Sequence, residues 1–250
     1  FPDFTVNGGH LIELRATTSM DGDIGLARLT VTVPAEPYGE FDMDALMGGG
    51  MASAEPPMGD VFVNIMTANR YTDIPQGFTI DGIPTLGQPE APVTVQLVES
   101  FSCPPCANFE DQFMGDLIDL AASGDILIEF YPFRIFETDE IAGVAAQCAA
   151  AQDLFWQAHD VIFMLQRTAG AEMGFTAGNI QSSLSSMDGI MLDEAAFESC
   201  IATGDPSLLN TGTQLATDLG VTGTPTVFIN GERISNATLV IDELNALIGN

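Results

Sequence analysis

At 250 residues the chain is long enough to bury a sizeable core and can hold one large domain or two small ones. Its formal net charge is −29, from 35 acidic residues against six arginines and no lysine, which excludes nucleic acid and an anionic membrane surface as partners. The acidity reads as a solubilising coat rather than an acidic docking face, and it suits either high salt or an acidic medium in which the carboxylates are largely protonated. No run is long and apolar enough to span a bilayer, so no membrane span is expected within this chain. The chain starts at Phe1, a start that a removed signal peptide, an absent upstream anchor or simple trimming would explain. Four cysteines, two of them remote from any Cys-x-x-Cys, point to an oxidising compartment: periplasmic, extracellular or cell-surface.

In chain order, His10 to Ala16 and Leu26 to Val33 are rich in β-formers and flank a turn-like Met20-Asp-Gly-Asp23, which predicts a strand pair. Residues 34 to 60 shift to Gly, Pro, Met and acid and read as loop. Val61 to Thr67 and Phe78 to Ile83 read as further strands, which makes residues 1–85 a β-rich appendage with no functional motif. Within it Met43, Met47 and Met51 recur every fourth residue, with Met58 and His10 nearby. That spacing matches soft thioether ligation of Cu(I), but it is equally one apolar face of a helix, and the triple glycine at 48–50 favours the second reading.

Next comes Val93 to Val98, an apolar run that ends in Glu99-Ser-Phe-Ser-Cys103-Pro-Pro-Cys106 and leads into a helix-compatible segment, Ala107 to Ala122. A helix start presents unpaired N–H groups and partial positive charge, both of which stabilise a thiolate. Cys103 is therefore the expected nucleophile, and Cys106, one turn further in, the buried partner that resolves a mixed disulfide. The bland alternatives are a structural disulfide and half of a zinc site; the latter lacks a second Cys-x-x-Cys or a close His pair, so no metal is assigned. Pro104 and Pro105 have no N–H, which leaves Cys106, Ala107 or the Thr224 hydroxyl as donors to a Cys103 thiolate.

Gly124 stops the helix, and Asp125 to Tyr131 reads as a second strand, parallel to the first. A helical stretch follows, over Thr138–Gln152, Leu154–Arg167, Thr176–Met187, Asp193–Ala202 and Ser207–Leu219. Gly223-Thr-Pro-Thr-Val-Phe-Ile-Asn-Gly231 predicts a strand ending in an Asn-Gly turn, with a hairpin partner at Glu232–Ser235 and a closing helix, Leu239 to Ile248.

Three motifs now stand in order: Cys103-Pro-Pro-Cys106 after a strand, Gln147-Cys-Ala-Ala-Ala-Gln-Asp-Leu-Phe-Trp-Gln-Ala-His-Asp160 in the helical stretch, and Gly220 to Gly231 near the end. Together they resemble the DsbA-like thiol-disulfide oxidoreductases of the thioredoxin superfamily, over about residues 86–250. The resemblance implies an α/β thioredoxin fold with a helical insert at about 136–219, Pro225 as a cis proline facing the cysteines, and Thr224 and Pro225 as the substrate-binding loop. It implies protein substrates with thiols or disulfides, a membrane-bound or soluble redox partner, and no cofactor. Members of the family often carry an acidic residue six positions before the first cysteine as a proton relay; here that position is Leu97, and Glu99 on the same strand face is the candidate substitute.

Cys148 and Cys200 fall on predicted helices of the insert, and the choice is a structural disulfide or two buried thiols; in an exported protein the disulfide is favoured. His159 reads as a packed or capping histidine rather than a catalytic base, and the Asn236-Ala-Thr238 sequon as incidental. Two readings from other classes stay open: a Cu(I)-binding module, and a structural subunit of a surface assembly in which residues 1–85 make the contacts.

Overall fold

The computed structural model describes strands β1 (Glu13–Thr17) and β2 (Arg28–Thr32) and residues 70–249. The methionines of the copper reading and the expected strand Val61 to Thr67 lie outside the described residues. The chain divides into two units, Phe1–Pro56 and Pro57–Asn250. In the first, β1 and β2 pair antiparallel, with Leu14 opposite Val31.

The second unit is built on a six-stranded mixed sheet: β3 (Gln76–Phe78), β4 (Pro84–Leu86), β5 (Val93–Glu99), β6 (Ile126–Pro132), β7 (Thr226–Ile229) and β8 (Glu232–Arg233), in the spatial order β3-β4-β6-β5-β7-β8. β5 runs parallel to β6, with Val95 opposite Ile128, and antiparallel to β7, with Leu97 opposite Val227. The parallel pair requires a crossover, supplied by helix α1 (Pro104–Ser123). Cys106, Phe109, Glu110, Met114, Leu117, Ile118 and Ala121 recur at three- and four-residue steps along α1 and form its buried face. Gly124, at φ 85°, ends the helix in the left-handed conformation that glycine adopts without steric cost.

The insert contains α2 (Thr138–Ala150), α3 (Phe155–Ala169), a single turn α4 (Ala171–Gly174), α5 (Ala177–Ser185), α6 (Glu194–Thr203) and α7 (Ser207–Asp218). α3 is buried nearly all round, with Trp156, Val161, Ile162, Phe163 and Leu165 at 1% exposure or less, so it is the insert's central element. α7 crosses the end of β6 so closely that a Cβ on Gly212 would sit 2.5 Å from the Pro132 carbonyl oxygen. A short 3₁₀ turn (Ala237–Leu239) leads into the closing helix α8 (Val240–Ile248).

Two expectations are corrected. Of the run Phe78 to Ile83 only Phe78, the last residue of β3, is strand, and residues 79–83 are the loop of the β3–β4 hairpin: Thr79 N–H donates to the Ile83 carbonyl at 2.8 Å, and Gly82 takes φ 83°. Residues 76–85, placed by sequence in the appendage, form an edge of this sheet, because β4 pairs with the side of β6 that β5 leaves open and the Trp156 indole N–H donates to the Thr85 carbonyl at 3.0 Å. Three-residue strands carry no periodicity, so nothing local announced them.

Candidate active site

Cys103 is the N-cap of α1, in extended conformation (φ −82°, ψ 116°), and the prolines occupy the first two helical positions. Proline is tolerated there because those N–H groups have no partner within a helix in any case. Both cysteines are thiols; Cys103 is 7% exposed and Cys106 fully buried. The Thr224–Pro225 peptide bond is cis, and the Cys103 thiol lies 3.7 Å from the Thr224 carbonyl oxygen, to which it donates.

The two sulfurs are driven apart in acidity. A hydrogen bond from the Cys106 thiol lowers the Cys103 pKa from an ordinary 9 to about 6, against the opposing effect of burial and with help from Thr224 and the Cys106 backbone N–H. The Thr224 hydroxyl is buried without a hydrogen-bond partner in the dithiol, which leaves it available as a donor once a sulfur ionises. Burial pushes the Cys106 thiol far upward, and its hydrogen bond to Cys103 and the neighbouring Glu99 side chain add to this. Ala107 N–H is committed to the Cys103 carbonyl, at 3.1 Å, so of the three donors considered from sequence it is engaged elsewhere.

Beneath the cysteines lies a buried row of ionisable groups. Glu99, at 0% exposure, is raised well above the usual carboxylate range by burial first and then by the neighbouring Glu110 carboxyl; neither of its oxygens has a hydrogen bond of ordinary geometry. Glu110, on α1, lies 3.5 Å from Nε2 of His159, whose Nδ1 is 3.4 Å from Oδ1 of Asp160. Burial draws the His159 pKa down, but the Glu110 charge and the contacts with both carboxylates outweigh it and set it at about 9, so His159 is an imidazolium at neutral pH. Asp160 in turn accepts a two-pronged pair from Arg70 (2.9 and 2.6 Å) and the Tyr71 hydroxyl (2.8 Å). The imidazolium also packs edge-on to Phe130 and Phe163, with ring centroids 4.8 and 4.9 Å away.

The turn that carries Cys103 is held by the insert. Asp139, fully buried at the start of α2, accepts through Oδ1 from the Ser100 hydroxyl and the Ser102 N–H, both at 2.9 Å. Its Oδ2 accepts from the N–H groups of Ile135 (2.9 Å) and Phe136 (2.8 Å). Gln166, on α3, donates to the Ser102 carbonyl at 2.9 Å. One carboxylate thus joins the turn before Cys103 to the loop after β6.

The structure brings together Cys103, Cys106, Thr224, Pro225 and Glu99. Cys148 and Cys200 lie apart from them and are bonded to each other, tying α2 to α6 (S–S 2.00 Å, Cα–Cα 5.6 Å). His159 is mid-helix and paired with Glu110, so it is packed but caps nothing. Sequence reasoning missed Glu110, Asp139 and Gln166. An acidic residue at an apolar-face position of α1 is the available signal for Glu110, whereas Asp139 lies in the first turn of α2, where an acid is ordinary and signals nothing. Among the described residues no group of three or more His, Cys, Asp or Glu side chains is arranged to hold a metal ion.

A family model described as thioredoxin matches residues 80–250. The chain belongs to the thioredoxin family. Two curated proteins share sequence with this thioredoxin-family chain. One is "Disulfide bond formation protein D" of Bacillus subtilis, 24% identical over 162 residues, or 63% of this chain and 72% of that protein. The other is "Na(+)/H(+) antiporter NhaA 3" of Salinispora tropica, 28% identical over 153 residues; the match takes in 59% of this chain but spans only 21% of the antiporter's length. Among solved structures, oxidised BdbD from Bacillus subtilis superposes with a TM-score of 0.59 at 22% identity, covering 71% of this chain and 100% of that one. That likeness is one of fold: a thioredoxin sheet with a helical insert.

Proposed function

We propose that this chain is an exported protein thiol-disulfide oxidoreductase that exchanges disulfides with protein substrates through Cys103 and Cys106. The observation that carries the reading is the split in acidity between two sulfurs one helical turn apart, Cys103 at about 6 and Cys106 far above an ordinary thiol. In the oxidised protein a substrate thiolate attacks Cys103 Sγ, the Cys103–Cys106 bond breaks, and the electron pair leaves on Cys106. Cys106, the stronger base, then takes a proton, and Glu99, held protonated by burial and by Glu110, is the nearby donor. A second substrate thiolate attacks the substrate sulfur of the mixed disulfide, and Cys103 departs as a stable thiolate. The substrate is thereby oxidised by two electrons and the protein reduced to the dithiol; a disulfide on a redox partner restores it by the reverse sequence. Thr224 and Pro225, against Cys103, hold the substrate backbone. The cysteines carry the electrons themselves, so no cofactor enters the scheme.

Export is supported by the Cys148–Cys200 disulfide, a bond that persists in oxidising compartments, and by the likeness to a protein named for disulfide bond formation. No helix among the described residues is long and apolar enough to cross a membrane. Insulin reduction and oxidation of a dithiol peptide test the reading. Cys103→Ser is expected to abolish both activities, and Cys106→Ser to accumulate a mixed disulfide with the substrate. Wild-type protein inactive in both assays, or a Cys103→Ser variant that retains either, would overturn the proposal and favour the structural-subunit reading.

A further inference from the structure

A groove of about 430 Å³ opens beside the cysteines, walled by Pro105, Phe109 and Phe113 of α1 on one side and by Pro225, Arg233 and Ile234 on the other. Two features set it apart from the rest of the surface. The chain has 35 acidic residues, yet no Asp or Glu lines this groove. The groove does hold an arginine, and that arginine is free of carboxylates. Four arginines have described side chains, and three of them are paired: Arg70 with Asp160, Arg134 with Glu140, and Arg167 with Asp111. Arg233 has no carboxylate within ion-pair reach among the described residues. Its one hydrogen bond is from Nη2 to the Thr226 hydroxyl, at 3.3 Å, which anchors the exposed guanidinium next to Pro225 and leaves its other N–H groups unused.

We propose that this groove selects substrate segments carrying an acidic side chain close to the reacting cysteine, with Arg233 pairing to that carboxylate while the apolar wall takes the neighbouring side chains. The inference rests on the proposed exchange at Cys103. The argument is one of charge complementarity. A fixed fork of N–H donors matches a carboxylate, and elsewhere on this molecule the charge of −29 repels acidic chains, so the groove is where an acidic segment gains rather than loses. An exposed pair of this kind is worth roughly a two- to fivefold change in rate or affinity.

The test uses the whole oxidised protein and three peptides identical except that the single cysteine is flanked on both sides by Asp, Asn or Lys pairs. Rates of mixed-disulfide formation are measured at about 0.2 M salt, where long-range repulsion is largely screened. Comparing variants by the Asp-to-Lys rate ratio cancels the intrinsic reactivity of each peptide thiol. The wild type is expected to favour Asp over Lys. Arg233→Gln should lower the ratio roughly two- to fivefold, Arg233→Lys should restore most of it, and Arg233→Glu should push it below the Gln value. A ratio unchanged by Arg233→Gln, or a wild type that favours Lys, overturns the inference while exchange with the Asn peptide leaves the proposed function standing. No exchange with any of the three peptides brings down the proposed function, and this inference with it.

Discussion

At the scale of single residues, the proposed exchange turns on Cys103 being ionised at a pH where an ordinary thiol is not. Its pKa falls from 9 to about 6 because the Cys106 thiol, the Thr224 hydroxyl and the Cys106 N–H all favour the thiolate, and together they outweigh the opposing effect of burial. The sign of the consequence follows. The folded value lies below the unfolded one, so the stabilisation of the dithiol form is fully present above about pH 9, the ordinary thiol value, and is lost as pH falls through 6. The rate of alkylation of the reduced protein by iodoacetamide should therefore rise with a midpoint near pH 6 and be flat by about pH 8. A midpoint near 9 would show that Cys103 is an ordinary thiol and that the donors around it are not acting. His159 titrates in the opposite sense: its folded value of about 9 lies above the unfolded one, so the imidazolium's contribution is complete below about pH 6.5 and fades as pH rises through 9.

At the scale of elements, the insert is the clamp on the turn that carries Cys103. Asp139 of α2 and Gln166 of α3 hydrogen-bond the Ser102 backbone, and Asp139 also takes the Ser100 hydroxyl, so movement of these helices would be felt at Cys103. The Cys148–Cys200 bond ties α2 to α6 across a sequence separation of 52, for which chain-entropy reasoning gives a stabilisation of about 4 kcal/mol. Cys148 is 1% exposed and Cys200 half-buried, against 7% for Cys103, so what separates the two pairs is chemistry rather than access: the Cys103 sulfur, with its pKa lowered to about 6, leaves readily as a thiolate. Mild reductant applied to the oxidised protein should release two thiols quickly and the remaining two only on unfolding, and a Cys148→Ser/Cys200→Ser variant should melt several degrees lower. Release of four thiols at one rate would mean that the two pairs do not differ in role.

At the scale of the whole molecule, a charge of −29 on a chain with six basic residues makes mutual repulsion a general cost of compactness. The few arginines are placed where they oppose that cost: three of the four with described side chains sit against carboxylates, and Arg70 anchors Asp160 at the outer end of the buried row that begins at Glu99. Screening should therefore stabilise the fold. Raising sodium chloride from about 0.02 M to 1 M is expected to raise the melting temperature by roughly 2–4 °C for each kcal/mol of repulsion removed. A melting temperature that falls over that range would indicate that the specific pairs outweigh the general repulsion.

The sequence by itself determined the elements whose signals are local. The strand, Cys-Pro-Pro-Cys and helix order, the glycine stop at 124, the five main helices of the insert and the Asn-Gly hairpin turn were all legible, because helix period, caps and turn residues act over a few positions. Resemblance to a family supplied the placement of Thr224 and Pro225, which spacing alone does not convey. What only the tertiary structure decided was which distant groups share a low-dielectric interior. Cys103 meets Thr224 across 121 residues, Glu110 meets His159, and Asp139 reaches back to Ser100 and Ser102. The β3–β4 edge belongs to the same class, since a three-residue strand forms only where a neighbour offers free hydrogen-bonding groups. An isolated Glu, Asp or His has much the same local preferences wherever it falls in a helix; its ionisation and its role are set by burial and by the charge it is buried beside.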